Sequence, residues 1–483
     1  MEMFLFSEYL RELIQEKQMS ISLLARLSGV ERTLLSKSLT GQRVLPYHVL
    51  DELIFHLKLT PNEEKLFRRY YDAQFEKEGI RQSRELIGKM FNNLTFLDFS
   101  VPTFEQKHLL MNLEEYAGER SVFIGETNVQ FLLRMVLSEE MSHEDALLEL
   151  TVPPLDTFLM NELLHRCLNE RMPMEIRQII AFDTSGAEAD INLQNLEYFC
   201  QILPICLLSR QQYHPYYYYT NSGSTNYADP FPYFLVTHSC VVCLSEDAAY
   251  AMLLQSEDAI AYYRRHFKRL TANCYSLIHY TKDPLDIIKS YQKCTDSDGF
   301  YVAMDQPCFA RSYSDEIIVS HIRKDVPDLD KILSMIKERF GLLKKVNHFY
   351  TFFSETGLKR FMEDGNLDDH PKSLVLPFTP EERVCLMKNM VEDIKSEKVM
   401  GRIWQEKAFP NYLAMCTSEK NGVGFFTTGN FRMSEKFCSV WIREPNLCKA
   451  FHSWLTDLSK SSLILTEEET LKILGAMIPK NEN

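Results

Sequence analysis

A segment of small and apolar residues at fixed spacing, residues 20–41, constrains the fold of this chain more than any other feature. Ala25 provides the small side chain that two crossing helices need where their backbones approach, and Gly29 suits a turn that requires positive φ. Leu35 is placed to fill the angle between the helices, and Gly41 is placed to end the second helix. The spacing therefore predicts two short helices joined by a tight turn.

This segment resembles the helix-turn-helix of the phage-repressor-like (xenobiotic-response-element type) family. The family pattern is a Leu-Ala pair, a Gly-Val pair, an apolar-Ser pair and a glycine, met here by Leu24-Ala25, Gly29-Val30, Leu35-Ser36 and Gly41. The resemblance covers residues 5–72. It implies a five-helix N-terminal domain that binds double-stranded DNA, usually as a homodimer.

In this family the second helix of the pair enters the major groove, so the resemblance implies which side chains contact DNA. The DNA-binding residues predicted in this way are Arg26, Arg32, Thr33, Ser36, Lys37 and Arg43. Ile21 departs from the family, which often has a polar residue at this position, and Glu31 would repel a phosphate. These departures leave open a second interpretation, in which the same fold contacts a protein.

The charge of the whole chain excludes one class of nucleic-acid binder. It has 53 Lys and Arg against 67 Asp and Glu, a formal net charge of −14, so it is not a polycation that coats nucleic acid by bulk attraction. Any such contact must come from a local patch, and residues 26–43 have four cations against Glu31. Hydrophobic residues at 45% and charged residues at 25% also exclude a wholly disordered chain.

Beyond the N-terminal helices the hydrophobic pattern alternates between strand and helix periods, which favours α/β units with a partly parallel sheet. The predicted fold class is α+β multidomain, with an all-α domain followed by a large α/β region that could form two similar lobes. The predicted boundaries are a helix-turn-helix domain over 1–75, a linker helix over 76–106, and two lobes, the first for sensing or oligomerisation, over 107–298 and 299–483.

Individual elements of the α/β region are predicted in the same way. Residues 213–220 and 233–244 are interpreted as adjacent strands, residues 248–275 as one long helical stretch, and residues 316–321 as a strand. A weak similarity between the strand-then-helix blocks 234–270 and 424–458 is the basis for the hypothesis of two related lobes.

The tyrosine run that begins at Tyr213 is a candidate ligand site. Alternate tyrosines on a strand face opposite sides, so Tyr213, Tyr217 and Tyr219 could line a pocket for a flat or cationic ligand. The alternative is a strand packed on both sides. Cys240 and Cys243 form a C-x-x-C within an apolar strand, which favours a structural role over a redox or zinc site.

No catalytic, metal or cofactor site is predicted. His279 and Lys282 are spaced as H-x-x-K, whereas phospholipase D enzymes require H-x-K-x4-D with a nucleophilic histidine. The acidic pair Asp368-Asp369 beside His370 is interpreted as a solvated loop.

The N-terminal sequence lacks the pattern of a secretory signal, and no apolar run is long enough to span a bilayer. The scattered cysteines are expected to be reduced thiols, and the expected location is cytoplasmic with no membrane partner. The predicted function is a sequence-specific transcription regulator whose α/β region senses a small-molecule or peptide effector. The alternatives are an enzyme or a protein-interaction adaptor, in which the helix-turn-helix only autoregulates or recruits.

Overall fold

A computed structural model describes the chain over 6–46, 49–73, 78–96, 112–155, 157–169, 174–184, 191–220, 229–281, 289, 299–370, 372–405, 408–418, 422–428, 439–458, 461 and 463–479. The chain divides into two compact units. The first consists of Met1–Gln82 and Asp457–Ser462, and the second of Ser83–Thr456 and Leu463–Asn483. The protein is an α+β multidomain chain.

The first unit is built from short helices: α1 (Phe6–Glu16), α2 (Ile21–Ser28), α3 (Arg32–Leu39), α4 (Leu50–His56) and α5 (Pro61–Ala73). The Ser20 hydroxyl caps α2 by accepting a hydrogen bond from the Leu23 backbone N–H at 3.2 Å. Gly29 ends α2 with a φ of 67°, a conformation that glycine adopts without steric cost. Leu24 and Leu35 are fully buried in the core of this unit.

Helix α6 (Glu78–Thr95) begins in the first unit and continues into the second. Within the second unit, the Phe91 ring lies 4.8 Å from the rings of both Phe409 and Trp454. The predicted linker over 76–106 is therefore only partly described, and the described part includes a packed helix. The predicted boundary at 106/107 lies outside the described residues.

The second unit contains two sheets. The first sheet has eight strands in the order β1-β7-β6-β5-β2-β3-β4-β8. Its strands are β1 (Val122–Ile124), β2 (Leu147–Leu150), β3 (Glu175–Asp183), β4 (Tyr213–Thr220), β5 (Tyr233–Val236), β6 (Val241–Leu244), β7 (Tyr250–Leu254) and β8 (Tyr275–Ser276). Helices α7 (Leu113–Ala117), α8 (Glu126–Glu140), α9 (Thr157–Asn169), α10 (Leu193–Leu208) and α11 (Glu257–Thr271) belong to the same part of the chain, called here the first lobe.

The second sheet has seven strands in the order β12-β11-β10-β13-β14-β15-β9. Its strands are β9 (His279–Thr281), β10 (Gly299–Ala303), β11 (His348–Phe353), β12 (Met400–Ile403), β13 (Leu413–Ser418), β14 (Gly422–Thr427) and β15 (Ser439–Ile442). The helices of this second lobe are α12 (Asp315–His321), α13 (Leu329–Leu343), α14 (Glu355–Asp364), α15 (Pro380–Lys395), α16 (Pro445–Asp457) and α17 (Glu467–Met477).

Seven strands of the first sheet have the same topology as the seven strands of the second, and β8, which pairs antiparallel with β4, is additional to them. In each, three strands run parallel and in chain order (β2-β3-β4 and β10-β11-β12), and the next three continue antiparallel on the other side of the first (β5-β6-β7 and β13-β14-β15). The strand that precedes this set, β1 or β9, pairs antiparallel with the last one. The two lobes of the α/β region therefore repeat one arrangement, and β9 belongs to the second lobe although it precedes residue 299.

The lobes are in contact through side chains of both. The rings of Phe199 in α10 and Phe451 in α16 lie 5.6 Å apart. The hydroxyl of Tyr219, at the end of β4, donates to the Glu444 carboxylate at 2.6 Å. The lobes therefore share a partly apolar interface within one compact unit.

Three element predictions are wrong. Residues 248–275 contain β7 and α11 rather than one helical stretch, because Tyr250–Leu254 alternates between outward and buried side chains and pairs with β6 and β1. Residues 315–321 form α12 rather than a strand, because the Ser314 hydroxyl caps the Ile317 N–H. Residues 233–244 form two strands, β5 and β6, rather than one, and β4 does not neighbour β5, since β2 and β3 lie between them.

Most described cysteines are free thiols, whereas Cys416 in β13 is disulfide-bonded, which departs from the expectation of reduced cysteines throughout. Across the described ranges, the helices are all too short or too polar to cross a membrane.

Candidate active site

The first lobe holds a histidine–carboxylate pair formed by Glu140 and His238. Glu140 is the last residue of α8, shortly before β2 begins. His238 lies in the tight turn between β5 and β6. Because β5 runs antiparallel to β2, its end lies beside the start of β2, and the turn meets the end of α8 there.

Glu140 is fully buried and accepts three hydrogen bonds. One carboxylate oxygen accepts from the Leu147 N–H at 2.7 Å and lies 2.5 Å from the imidazole Nδ1 of His238, and the other accepts from the His238 backbone N–H at 2.8 Å. A carboxylate at a helix C-terminus opposes the helix dipole, and its burial removes hydration. The three donors offset both costs, so this carboxylate is held by partners distant in sequence.

The His238 side chain is 29% exposed. Its Nε2 lies 3.5 Å from the carboxylate of Asp145, whose own side chain is 84% exposed. The ring of His143 lies 5.2 Å from that of His238. With Nδ1 bound to the buried carboxylate, Nε2 is the nitrogen directed to the surface.

The turn that carries His238 is fixed by the residues beside it. The Thr237 hydroxyl accepts from the Cys240 N–H at 3.2 Å, and both residues are fully buried. From α11, the Arg264 guanidinium donates to the Thr237 carbonyl at 3.2 Å. Burial raises the pKa of Cys240 to about 11, which keeps this cysteine a thiol and not a thiolate nucleophile.

This geometry suits proton transfer. A histidine that donates Nδ1–H to a carboxylate presents a basic Nε2, and the carboxylate stabilises the imidazolium formed when Nε2 takes up a proton. Asp145 adds a second negative charge near the same ring. Among the described residues, no group of three or more His, Cys, Asp and Glu side chains is arranged to bind a metal ion.

A second polar network lies in the second lobe, at the carboxyl ends of β10 and β11. Asp305 is buried and accepts from the Ser354 hydroxyl at 2.5 Å. The Arg360 guanidinium forms ion pairs with both Asp305 and Asp368. These charges compensate one another, so the network fixes the loops after the two strands.

The interpretation of residues 368–370 as a solvated loop is wrong. Asp369 and His370 are largely buried, and the His370 Nδ1 lies 2.7 Å from the Asp369 carboxylate. Although burial by itself raises the pKa of Asp369, the charge of the His370 imidazole and its hydrogen bond hold that pKa below its usual range. The segment is anchored by paired charges.

The side chains predicted to contact DNA are all exposed in the first unit: Arg26, Arg32, Thr33, Ser36, Lys37 and Arg43. One of them has an intramolecular partner, since the Thr33 hydroxyl donates to the Glu31 carboxylate. The DNA-binding role of these residues stays a prediction.

The three tyrosines of the predicted ligand site have different environments. Tyr213 is fully buried, and its hydroxyl forms a hydrogen bond with the Gln178 side chain. Tyr217 is buried, with its ring 5.0 Å from that of Phe182. Tyr219 is 42% exposed and donates to Glu444. Tyr213 is therefore a core residue, and a ligand could contact only the outer end of this strand.

The sequence patterns did not identify His238 as a functional residue. Counted from His238, the H-x-K-x4-D spacing has Cys240 at the lysine position and Ser245 at the aspartate position. Only the histidine of that pattern is present, so a search for the complete pattern misses it. The signal that could have found it is a histidine in a short turn between two apolar strands.

No protein-family model matches this chain. No curated protein matches it either. Among solved structures, it is similar to a polyphosphate kinase from Porphyromonas gingivalis, with 9% identity and a TM-score of 0.22, over 75% of this chain and 51% of the kinase. The chain thus spans about half the length of that enzyme. It is also similar to a phosphatidylserine synthase from Haemophilus influenzae Rd KW20, with 10% identity and a TM-score of 0.22, over 82% of this chain and 97% of the synthase.

These comparisons correct the predicted function. The two similar structures are both enzymes, which contradicts the predicted DNA-binding transcription regulator. At a TM-score of 0.22 neither enzyme establishes a shared fold or a shared activity.

Proposed function

We propose that the second unit is an enzyme in which His238 acts as a general base in hydrolysis or group transfer. The observation that carries this proposal is the bond between the His238 imidazole and the fully buried Glu140 carboxylate, with the ring still partly exposed. A histidine that served only to fill space in a turn would need neither a buried charge nor an accessible second nitrogen.

In the proposed step, Nε2 of His238 takes a proton from water or a substrate hydroxyl as the oxygen attacks an electrophilic centre. The Nδ1–H bond to Glu140 remains in place, and the imidazolium is stabilised by this carboxylate and by Asp145. The proton then passes from Nε2 to the leaving group. Positioned general bases of this kind contribute roughly 10²–10⁴-fold to rate.

For the first unit, we propose that residues 5–72 have the helix-turn-helix fold of the phage-repressor-like family and recruit a second copy of the chain. The left-handed Gly29 between α2 and α3 supports the fold. The large exposed side chains Leu27 and Val44, 43% and 42% exposed, support a protein contact. Sedimentation of the chain and of the variant Leu27→Glu with Val44→Glu tests this: a dimer that becomes a monomer supports it, and an unchanged mass contradicts it.

The catalytic proposal is tested with three chromogenic substrates, p-nitrophenyl acetate, p-nitrophenyl phosphate and bis(p-nitrophenyl) phosphate. We expect turnover of at least one by the full chain, with kcat reduced by roughly 10²-fold or more in His238→Gln. The matched control is His348→Gln, which makes the same change at an exposed histidine of β11.

Two outcomes would contradict the proposal that the second unit is an enzyme. One is a wild-type chain that turns over none of the three substrates. The other is a His238→Gln variant with the wild-type rate. A loss of rate in both histidine variants would indicate a general effect on the fold, which the unfolding midpoints of the two variants would reveal.

A further inference from the structure

Beyond its first turn, which carries the exposed Glu257 and Asp258, the solvent-exposed side of α11 is strongly basic, although the chain as a whole is acidic. Residues 261–272 contain four cations and no carboxylate, whereas the chain has a net charge of −14. Three of these cations, Arg265, Lys268 and Arg269, are exposed. The buried side of the helix is formed instead by Phe267 and the apolar residues that pack with it.

These cations lack the counter-ions that surface cations of a folded domain commonly have. Over the described part of the chain, no carboxylate is within ion-pair distance of Arg265, Lys268 or Arg269. Arg265 donates to the Ala261 carbonyl of its own helix, at 3.3 Å. The basic residues of the last turn stabilise the helix dipole, but that effect is confined to this turn and does not require Arg265.

Aromatic side chains lie next to the cations. Tyr262 is 53% exposed, and its ring is parallel to that of His266, with an interplanar angle of 9° and centroids 6.3 Å apart. The Arg269 guanidinium lies 3.5 Å from the His266 Nδ1. Since Tyr262, Arg265 and Arg269 follow one another at three and four residues, they lie on one side of the helix.

We propose that this side of α11 binds a single-stranded nucleic acid. The cations are suited to backbone phosphates, and the exposed Tyr262 ring offers a face on which an unpaired base can stack. In a duplex the faces of the bases are stacked on one another and are not accessible to Tyr262. An acidic peptide or a lipid headgroup has no base that could stack on the Tyr262 ring. This surface is independent of the first unit and of the reaction proposed at His238.

The test is fluorescence anisotropy of the full chain with a labelled 12-nucleotide uridine RNA at several salt concentrations. Replacement of all three cations (Arg265→Ala, Lys268→Ala, Arg269→Ala) should weaken binding at least 10-fold. It should also reduce the slope of log K against log salt by about 2, since each contact on a single strand contributes about 0.7. Tyr262→Ala should weaken binding by about 5- to 150-fold, and Tyr262→Phe should not.

The matched control removes three exposed cations of the second lobe, Lys324, Lys331 and Lys388, and should leave the affinity unchanged. An equal loss of RNA affinity in the control variant would show that the overall charge of the chain determines binding, and it would overturn the proposal. A wild-type chain that does not bind the RNA would also overturn it. Binding to heparin or to anionic vesicles that is as tight as to RNA, with no effect of Tyr262→Ala, would identify a general polyanion surface instead.

Discussion

Glu140 and His238 are separated by 98 residues, yet the carboxylate of one lies 2.5 Å from the imidazole Nδ1 of the other. The contact joins the end of α8 to the turn between β5 and β6. It also includes the Leu147 N–H at the start of β2. One buried side chain thus connects three parts of the first lobe, and its removal has consequences for stability as well as for the proposed reaction.

Glu140→Ala should lower the free energy of unfolding by about 2–4 kcal/mol, because it leaves the partly buried N–H groups of Leu147 and His238 without their acceptor. Glu140→Gln keeps an amide oxygen that can accept one of them, so its loss should be smaller. Urea unfolding measures both. Glu144→Ala, at an exposed position of the same loop, is the control and should stay within about 0.5 kcal/mol of wild type. Equal stability of all three variants would show that the buried carboxylate is not needed.

Gly357 in α14 allows the close approach of a helix to the loop after β10. A Cβ at this position would lie 2.2 Å from the Asp305 carbonyl oxygen, a backbone atom that cannot move aside alone. We expect Gly357→Ala to lower the free energy of unfolding by about 1–3 kcal/mol through overpacking.

The matched variant is Gly341→Ala in α13, where a Cβ meets no atom within 4 Å. It should stabilise the chain by about 0.5–1 kcal/mol, because alanine has the better helix propensity. Thermal unfolding of the two variants should shift in opposite directions. A shift of the same sign in both would contradict the close approach at Gly357.

The hydrogen bond between Tyr219 and Glu444 connects the two lobes. Burial and the neighbouring carboxylate raise the pKa of Tyr219, so its hydroxyl remains a donor throughout the neutral range. Tyr219→Phe should cost about 1–2 kcal/mol, since Glu444 is buried and loses a charge-assisted partner. Tyr218→Phe removes a hydroxyl from a similarly exposed neighbour and is the control. An unfolding midpoint that is the same for both variants would argue against this interlobe bond.

Cys240 should be unreactive in the folded protein. Burial raises its pKa to about 11, so at pH 8 only about one thiol in a thousand is ionised. Iodoacetamide at pH 8 should therefore modify the exposed Cys385 well before Cys240, as mass spectrometry of the peptides would show. Comparable labelling of both in the native protein would contradict the buried position, and labelling in denaturant provides the reference.

The same shift predicts a direction of pH dependence. The folded-state pKa of Cys240 lies above the value of 9.0 for an unperturbed cysteine, so the folded state binds the proton more tightly. The corresponding contribution to stability is complete below pH 9 and is lost as the pH rises towards about 11. Cys240→Ala should reduce the loss of stability between pH 9 and 11, as measured by urea unfolding at each pH.

Local patterns predicted local structure well. Ser20, Gly29 and the apolar residues between them specify α2 and its ends, because a cap, a positive φ and a helical apolar period act over a few residues. The predictions for residues 248–275 and 316–321 are wrong because two short-range patterns compete there. The alternation of outward and buried side chains in Tyr250–Leu254 produces a strand because β1 and β6 pair with this segment.

The candidate active site, in contrast, could not be predicted from local sequence patterns. His238 is an ordinary residue in sequence, and its partner Glu140 is one of many acidic residues. Neither has a spacing that indicates chemistry. For the predicted tyrosine site, the strand was predicted correctly but the ligand-binding role of Tyr213 was not, because this side chain is buried in the core.

The sequence by itself determined the helical character of the first unit, the α/β character of the remainder and the expectation of a repeated lobe, since each depends on the period of nearby residues. Tertiary structure alone decided the strand order of the two sheets and the meeting of Glu140 with His238. The physical reason is that a hydrogen bond between residues so far apart in the chain exists only after β5 has paired antiparallel with β2, and no local pattern records that pairing.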